Sequence, residues 1–255
     1  MKAVILAGGF GTRISEESYL KPKPMVQIGD KPILWHIMKI YSHYGINEFI
    51  ICLGYKGYLI KEYFSNFLLH SSDLTIDMSE NSMKFHNQTT EPWKVTLVDT
   101  GLNTMTGGRI KRLSKYLGNE TFCMTYGDGL ADINITKLIK HHKKSKLKAT
   151  VVGVCPPGRY GVIDSKNGLV NRFDEKIKNK KNLINGGFFV LEPSVLKYIS
   201  SDKISWEKEP VEKLTKKREL GVYEHTKFWQ SMDTMREKTL LENLWKNNQA
   251  PWKVW

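Results

Sequence analysis

After Lys2, residues 3–7 (Ala3-Val4-Ile5-Leu6-Ala7) are apolar without interruption, the pattern of a strand buried on both faces of a parallel sheet. The run stops at Gly8-Gly9-Phe10-Gly11. From Pro32 the period changes: Ile33, Leu34, Ile37, Met38, Ile40 and Tyr41 recur at helical spacing through Tyr44, with proline at the entrance and Gly45 at the exit. Residues 48–53 predict a second strand and 57–69 a second helix, which sets a strand–helix–strand–helix rhythm. Segment 71–93 breaks it with short strand-like pieces at 74–78 and 83–86. Strands follow at 94–99 and 121–126, with an amphipathic helix from Gly107 to Leu117 between them. A helix at 135–145, a strand at 149–155 and a hairpin at 162–164 and 169–173, turning at Lys166-Asn167-Gly168, come next. A strand at 184–191, a helix at 207–217, a strand at 220–225 and a helix at 235–248 complete an α/β pattern.

A chain of 255 residues is long enough for one large α/β domain with a full core. Its 40% hydrophobic and 25% charged residues suit a soluble globular enzyme. Every apolar run falls far short of the ~18 residues that span a membrane, and the apolar start is too short for a secretory signal. Cys52, Cys123 and Cys155 are odd in number, widely spaced and set in strand-like runs. They read as reduced core residues of a cytoplasmic protein, without metal-ligand spacing. Lys and Arg exceed Asp and Glu by 39 to 26, a net charge of +13 that invites a nucleic-acid partner. Much of that excess sits in 137–148 and 176–181, read as a helix face and a solvated loop, with no aromatic-interleaved RNA-binding motif. The reading is a lysine-rich surface, with no nucleic-acid partner and no membrane.

The candidate chemistry starts at the first strand's end. Gly8, Gly9 and Gly11 let the backbone turn sharply and approach a ligand closely. Exposed amides in such a loop attract anions, and Thr12 and Arg13 add a hydroxyl and a fixed fork of donors. In Lys21-Pro22-Lys23-Pro24-Met25 each proline fixes φ and holds the preceding lysine extended, a candidate phosphate clamp. The spacing is not the dinucleotide fingerprint, which needs glycine where Ile14 stands, nor a Walker loop, because no Gly-Lys-Ser/Thr follows. As a bare pattern it also fits an ordinary strand-to-helix turn.

Asp128, between Gly127 and Gly129 at a strand's C-terminal end, stands where open α/β sheets bind ligands, and carboxylates there hold Mg2+. Asp132 reads first as a helix N-cap; Asp233 fits an N-cap or a second Mg2+ ligand. Thr104, Thr106 and Arg109, in a loop beside a helix start, suit a nucleotide or sugar-phosphate contact, and a capped helix equally well. Glu175 and Lys176, followed by Asn185-Gly186-Gly187 at a strand entrance, offer sugar-hydroxyl acceptors and a cation. His141-His142 reads as solvated, since helix neighbours point different ways. Trp35 and His36 read as packing or surface residues.

Leu-Ala-Gly-Gly-x-Gly-Thr-Arg at 6–13 followed by Lys-Pro-Met at 23–25 resembles the signature of the sugar-nucleotide pyrophosphorylases. These nucleotidyltransferases join a sugar 1-phosphate to a nucleoside triphosphate and release pyrophosphate. The likeness covers essentially the whole chain, through Glu-Pro-Trp (91–93), Val-Thr-Leu-Val-Asp-Thr-Gly (95–101), Met-Thr-Gly-Gly-Arg (105–109) and Tyr-Gly-Asp-Gly (126–129). It continues in Asn-Gly-Gly-Phe-Phe-Val-Leu (185–191), Phe-Trp-Gln-x-Met-Asp-Thr (228–234) and Ala-Pro-Trp-Lys (250–253). These longer matches are similar to the branch that transfers a cytidylyl group from CTP to alpha-D-glucose 1-phosphate. That branch gives CDP-glucose and pyrophosphate for dideoxyhexose and surface-polysaccharide (O-antigen, lipopolysaccharide) biosynthesis.

The resemblance implies a Rossmann-like three-layer nucleotidyltransferase fold, α/β with a mixed, mostly parallel central sheet and small β embellishments. One domain would span 1–255, with an irregular insertion at 71–93, a sugar-binding part at 150–192 and a C-terminal helix and tail at 235–255. Implied at the nucleotide and substrates are Leu6, Ala7, Gly8, Gly9, Phe10, Gly11, Thr12, Arg13, Lys23, Thr104, Arg109 and Gly127. Arg13 would neutralise the leaving pyrophosphate and Lys23 the α-phosphate, while Asp128 and Asp233 would be the catalytic pair that holds Mg2+. Glu175, Lys176, Asn185 and Gly186 are expected on the sugar-phosphate side. The family's Glu-Lys-Pro is Glu175-Lys176-Ile177 here, so the proline that would restrain the lysine is missing. A homo-oligomer, a hexamer, is also implied, with 71–93 and the aromatic tail 245–255 as interface candidates. Related enzymes using dTTP, UTP or GTP stay open as alternatives, as does a catalytically silent regulatory subunit of the same fold. The silent subunit should have lost Arg13, Lys23, Asp128 or Asp233, and all four are present.

Overall fold

The unbroken apolar run after Lys2 serves two cores at once. In the computed structural model, which describes residues 1–87, 90–155, 162–166, 169–174 and 183–255, β1 (Ala3–Leu6) is buried throughout. Ala3 and Ile5 enter one hydrophobic cluster and Val4 and Leu6 the other, because successive side chains on a strand point to opposite faces. Joining β1 in one sheet are β2 (Glu48–Leu53), β3 (Lys94–Asp99), β4 (Phe122–Tyr126), β5 (Ala149–Val154), β6 (Ile184–Leu191) and β7 (Leu220–His225). Their order is β7-β5-β6-β4-β1-β2-β3, and β6 alone among them runs antiparallel. The mixed, mostly parallel sheet is as expected.

Helices cover both faces. On one lie α1 (Ile33–His43), α4 (Ile135–Ser145) and α6 (Met235–Lys246), with Ile37, Leu138 and Leu241 in the first cluster, together with Ile60 of α2 (Gly57–Ser65). On the other lie α3 (Thr106–Arg112) and α5 (Glu209–Lys216), with Ile110 and Leu214 in the second cluster. The result is three layers, helices on both faces of a largely parallel sheet. Among the described residues no helix is long and apolar enough to cross a membrane.

Several expectations need correction. Within segment 71–93, Asp73–Asp77 and Ser82–His86 pair as an antiparallel hairpin, within a residue of the strand-like pieces expected at 74–78 and 83–86. Beyond it Glu91 pairs with Lys39 at 2.9 Å and the Trp93 ring packs on Phe49. In the tail 245–255 Trp252 is fully buried, and Trp245 and Trp255 pack partly buried on the first cluster, while the residues between them stay largely exposed. The predicted helix at 57–69 divides at Asn66 into α2 and a short Phe67–Ser71 turn. Strands Val162–Lys166 and Leu169–Asp174 pair as the predicted hairpin; its Asn167-Gly168 turn lies outside the described residues. Asp132 caps no helix: Asn134 caps α4, and Asp132 lies 3.0 Å from His225. His142 is buried, its Nδ1 2.8 Å from Thr150 Oγ1 and its Nε2 3.2 Å from Glu192. Neighbours on a helix do point different ways, and that sends His142 inward while His141 stays exposed. Cys52 and Cys123 are core thiols, both pushed up to about 12 by burial, whereas Cys155 is half-buried.

His36 sits inside the aromatic cluster that fastens the tail. Its ring centroid is 4.6 Å from Trp245; Nε2 donates to the Ile28 carbonyl at 2.9 Å and Nδ1 accepts from the Trp252 indole at 3.4 Å, a neutral tautomer. Burial pushes its pKa down to about 4 from 6.5. The unfolded chain therefore binds a proton that the folded chain refuses as pH falls below 6.5, and stability drops between 6.5 and 4. The expected loss by pH 5 is about 2 kcal/mol relative to pH 8. Urea midpoints across that range should fall less steeply in His36→Gln, which keeps the Ile28 bond; an unchanged pH dependence would rule this assignment out.

Candidate active site

Strand order reverses between β1 and β4: β2 and β3 lie on one side, β4 on the other, and such a switch point opens a crevice at the strands' C-terminal ends. The chain leaves β1 clasped from both sides, with Ala7 N–H donating to Cys52 O at 3.0 Å and Gly127 N–H to Leu6 O at 3.1 Å. The glycine loop follows. Gly8 is packed so closely that a Cβ there would stand 2.2 Å from Arg109 Nη1. Gly11 has φ +67 and its open side faces the stem of Lys23, where a side chain would be both strained and crowded.

Lys23 is buried in the short turn Lys23–Met25, set by Pro22 at φ −64 and ψ 145. Its Nζ lies 2.6 Å from Asp128 Oδ2 and 2.7 Å from Asp233 Oδ1. A two-stranded ribbon brings the carboxylates together. Gly129–Ala131 pairs antiparallel with Trp229–Ser231, Ser231 opposite Gly129, and Met232 N–H donates to Asp128 O at 2.8 Å. Asp233 is not the cap of α6. Thr234 takes that role in a capping box with Glu237, whose Oε2 accepts from the Asp233 and Thr234 amides at 2.7 and 3.0 Å. The Asp233 carboxylate is thereby turned toward Lys23.

A cavity of about 540 Å³, in the range of small-molecule sites, opens between these groups. The glycine loop, Thr12, Lys23 and Asp128 line it together with Met105, Thr106, Tyr126, Asn185, Ser205 and Glu207. A second cavity of about 180 Å³ shares Asp128, Tyr126 and Asn185 with it and is closed by Gly186, Gly187, Trp229 and Asp233. Asp128 thus stands where two compartments meet. Among the described residues no group of three or more His, Cys, Asp or Glu side chains converges.

The profile of the nucleotidyl transferase family matches residues 2–229. The chain belongs to that family. This nucleotidyl transferase is 57% identical over 256 residues, 100% of both chains, to the glucose-1-phosphate cytidylyltransferase of Salmonella typhimurium. It is 32% identical over 209 residues to the D-glycero-alpha-D-manno-heptose 1-phosphate guanylyltransferase of Campylobacter jejuni, across 81% of this chain and 83% of that one. A UDP-glucose pyrophosphorylase solved with UDP-glucose shares its fold, with a TM-score of 0.70 at 17% identity over 97% and 98% of the two chains.

Of the residues expected at the site, Leu6, Ala7, Gly8, Gly9, Gly11, Thr12, Lys23, Gly127, Asp128 and Asn185 line the larger cavity, and Gly186 and Asp233 the smaller. Phe10 points outward against the Tyr55 ring, 5.5 Å between centroids. The Arg13 side chain, Glu175 and Lys176 lie outside the described residues. Arg109 and Thr104 line neither cavity. Arg109 is buried behind the glycine loop rather than in the cavity, with Nη1 bonded to Leu53 O, Thr100 Oγ1 and Gly101 O at 2.7–3.0 Å and Nη2 to Gly8 O and Leu102 O at 2.9 and 3.1 Å. It positions the loop through carbonyls that no sequence pattern marks. Thr104 is buried against Gly101 and Gly108, and its neighbours Met105 and Thr106 take the wall. Tyr126, Ser205, Glu207 and Trp229 escaped assignment. Tyr126, two residues before Asp128, carried a positional signal; Glu207 carried none.

Proposed function

We propose that this nucleotidyl transferase moves the cytidylyl group of CTP onto glucose 1-phosphate in the cytoplasm, releasing pyrophosphate. The supporting observation is full-length 57% identity to a glucose-1-phosphate cytidylyltransferase, in a chain whose glycine loop, Lys23 and Asp128 line one cavity while Asp233 reaches Lys23 from the adjoining one. A sugar-phosphate oxygen forms the new bond to the α-phosphorus as the bond to the β-phosphate oxygen breaks. Such a transfer needs positioning and charge neutralisation more than an acid–base residue.

The loop amides of Gly8, Gly9 and Gly11 and the Thr12 hydroxyl cradle the triphosphate, with Lys23 facing the α-phosphate and Arg13 the departing one. The smaller cavity takes the sugar phosphate, and the Trp229 indole holds the Asn185–Gly186 entrance by donating to Gly186 O at 2.7 Å. Glu175 and Lys176 complete that side in this reading. The paired aspartates suit a divalent cation, because hard oxygen donors converge on a point where the structure places an ammonium. We assign Mg2+ to Asp128 and Asp233; when bound, it would neutralise phosphate charge. A homo-oligomer would cover the hairpin's exposed Ile76, Met78 and Met83.

Pyrophosphate release with glucose 1-phosphate and Mg2+, offered CTP, UTP, dTTP, GTP and ATP in parallel, tests the reading. Release mainly with CTP is expected; release mainly with another triphosphate would overturn the cytidylyl assignment. A second test concerns Lys23. In Lys23→Met the two part-buried carboxylates lose the ammonium that bridges them, so stability should fall by about 1–2 kcal/mol, discounted for their partial exposure. Mg2+ should then raise the melting temperature more in the variant than in the wild type, since no ammonium competes for the oxygens. Equal shifts would remove the pair as the metal site.

A further inference from the structure

Glu207 lines the larger cavity together with the glycine loop. Both its carboxylate oxygens are held: Tyr126 Oη donates to Oε1 at 2.7 Å and Thr106 Oγ1 to Oε2 at 2.6 Å. The supporting groups are themselves oriented. Thr106 Oγ1 accepts from the Trp206 amide at 2.9 Å, which turns its proton toward Glu207, and Trp206 anchors the segment in the core. Tyr126 Oη accepts from Asn185 Nδ2 at 3.1 Å, and burial first and Glu207 second push its phenol well above the ordinary range, so it remains a donor.

A carboxylate oxygen has two lone pairs, and each here receives one hydroxyl proton from the wall, so acceptor capacity remains toward the cavity. A fixed negative charge at this wall repels phosphate. The ligand portion that reaches it must be neutral and must bring N–H or O–H donors, which describes a nucleoside and excludes its triphosphate.

We propose that Glu207 is a specificity-determining residue whose carboxylate, set by Tyr126 and Thr106, accepts a hydrogen bond from the nucleoside of the bound nucleotide. Two donor sources share this chemistry, the exocyclic amine of cytosine and the ribose hydroxyls. The inference rests on the nucleotide-transfer reading above, and takes the nucleotide the wild type prefers as its reference.

The test is Glu207→Gln, which keeps shape and lets the Tyr126 and Thr106 hydroxyls remain bonded. kcat/KM is measured for CTP, UTP, 2′-deoxy-CTP and 3′-deoxy-CTP beside the wild type. The loss expected with the preferred nucleotide is about 10- to 100-fold, with KM for glucose 1-phosphate unmoved and the melting temperature shifted by less than about 2 °C. A shrunken CTP-over-UTP preference assigns the amine; a shrunken preference over either deoxynucleotide assigns the ribose. Tyr126→Phe, which frees one carboxylate oxygen, should move the same ratio in the same direction by less. An unchanged kcat/KM, an equal loss on all four nucleotides, or a rise confined to KM for glucose 1-phosphate would overturn the assignment. A wild type that turns over none of the nucleotides would overturn the nucleotide-transfer reading and this inference with it. A wild type that prefers another triphosphate would overturn only the cytidylyl reading, because the ratios are then taken against that nucleotide.

Discussion

Asp128→Asn is expected to lower kcat by about 10²- to 10³-fold, the usual cost of removing one preorganised charge contact from a reacting phosphoryl-type centre. Asp128 is where the two cavities meet, and its carboxylate is one of two that converge on Lys23 Nζ. The amide keeps the shape and an acceptor oxygen but loses the charge, so the variant should fold. Its backbone bond to Met232 and its place between two glycines do not depend on the carboxylate. Lys23 would keep Asp233 as a charged partner at 2.7 Å. The measurement is single-turnover formation of the nucleotide sugar, paired with a melting curve. Wild-type turnover would strike Asp128 from the site, whereas lost turnover with a large drop in melting temperature would recast it as structural.

Arg109→Met should cost about 3–5 kcal/mol of folding stability, because its bonds to Leu53 O, Gly8 O and the Thr100 hydroxyl are buried. Leu53, Gly8, Gly101 and Leu102 would lose the guanidinium from their carbonyls and Thr100 from its hydroxyl. The glycine loop would lose its floor in the same stroke. Arg109→Lys keeps the charge with fewer, unforked donors and should fall between the two. Urea unfolding followed by tryptophan fluorescence reads the effect. A wild-type midpoint in Arg109→Met would mean that the network contributes nothing net, and would reopen Arg109 as a ligand contact.

Much of the architecture is legible in the chain because its cause is local. An unbroken apolar run such as residues 3–7 can only be satisfied between two helical layers, and the observed bounds of β2, β3, α4, β6 and β7 coincide with the hydrophobic pattern. The glycine loop and the proline-stiffened lysine are equally local, since each is a backbone requirement written in residue type. Family likeness then added an expected role for Asp233, where the residues alone left a helix cap equally open.

What the sequence alone determined is therefore the layered α/β plan and the residues able to handle phosphate. Tertiary structure decided which side chains face the ligand. Arg109 is packed behind the glycine loop and Thr104 is buried against Gly101 and Gly108, while Glu207 carries no signal and stands on the cavity wall. His142 is exposed by the chain's logic and buried in the fold, and the aromatic tail buries Trp252 completely. The physical reason is common to all of these. Propensity and periodicity report on a residue's neighbours along the chain, whereas a buried guanidinium or an anchored carboxylate answers to partners that only the closed sheet and its ribbon bring within hydrogen-bond reach.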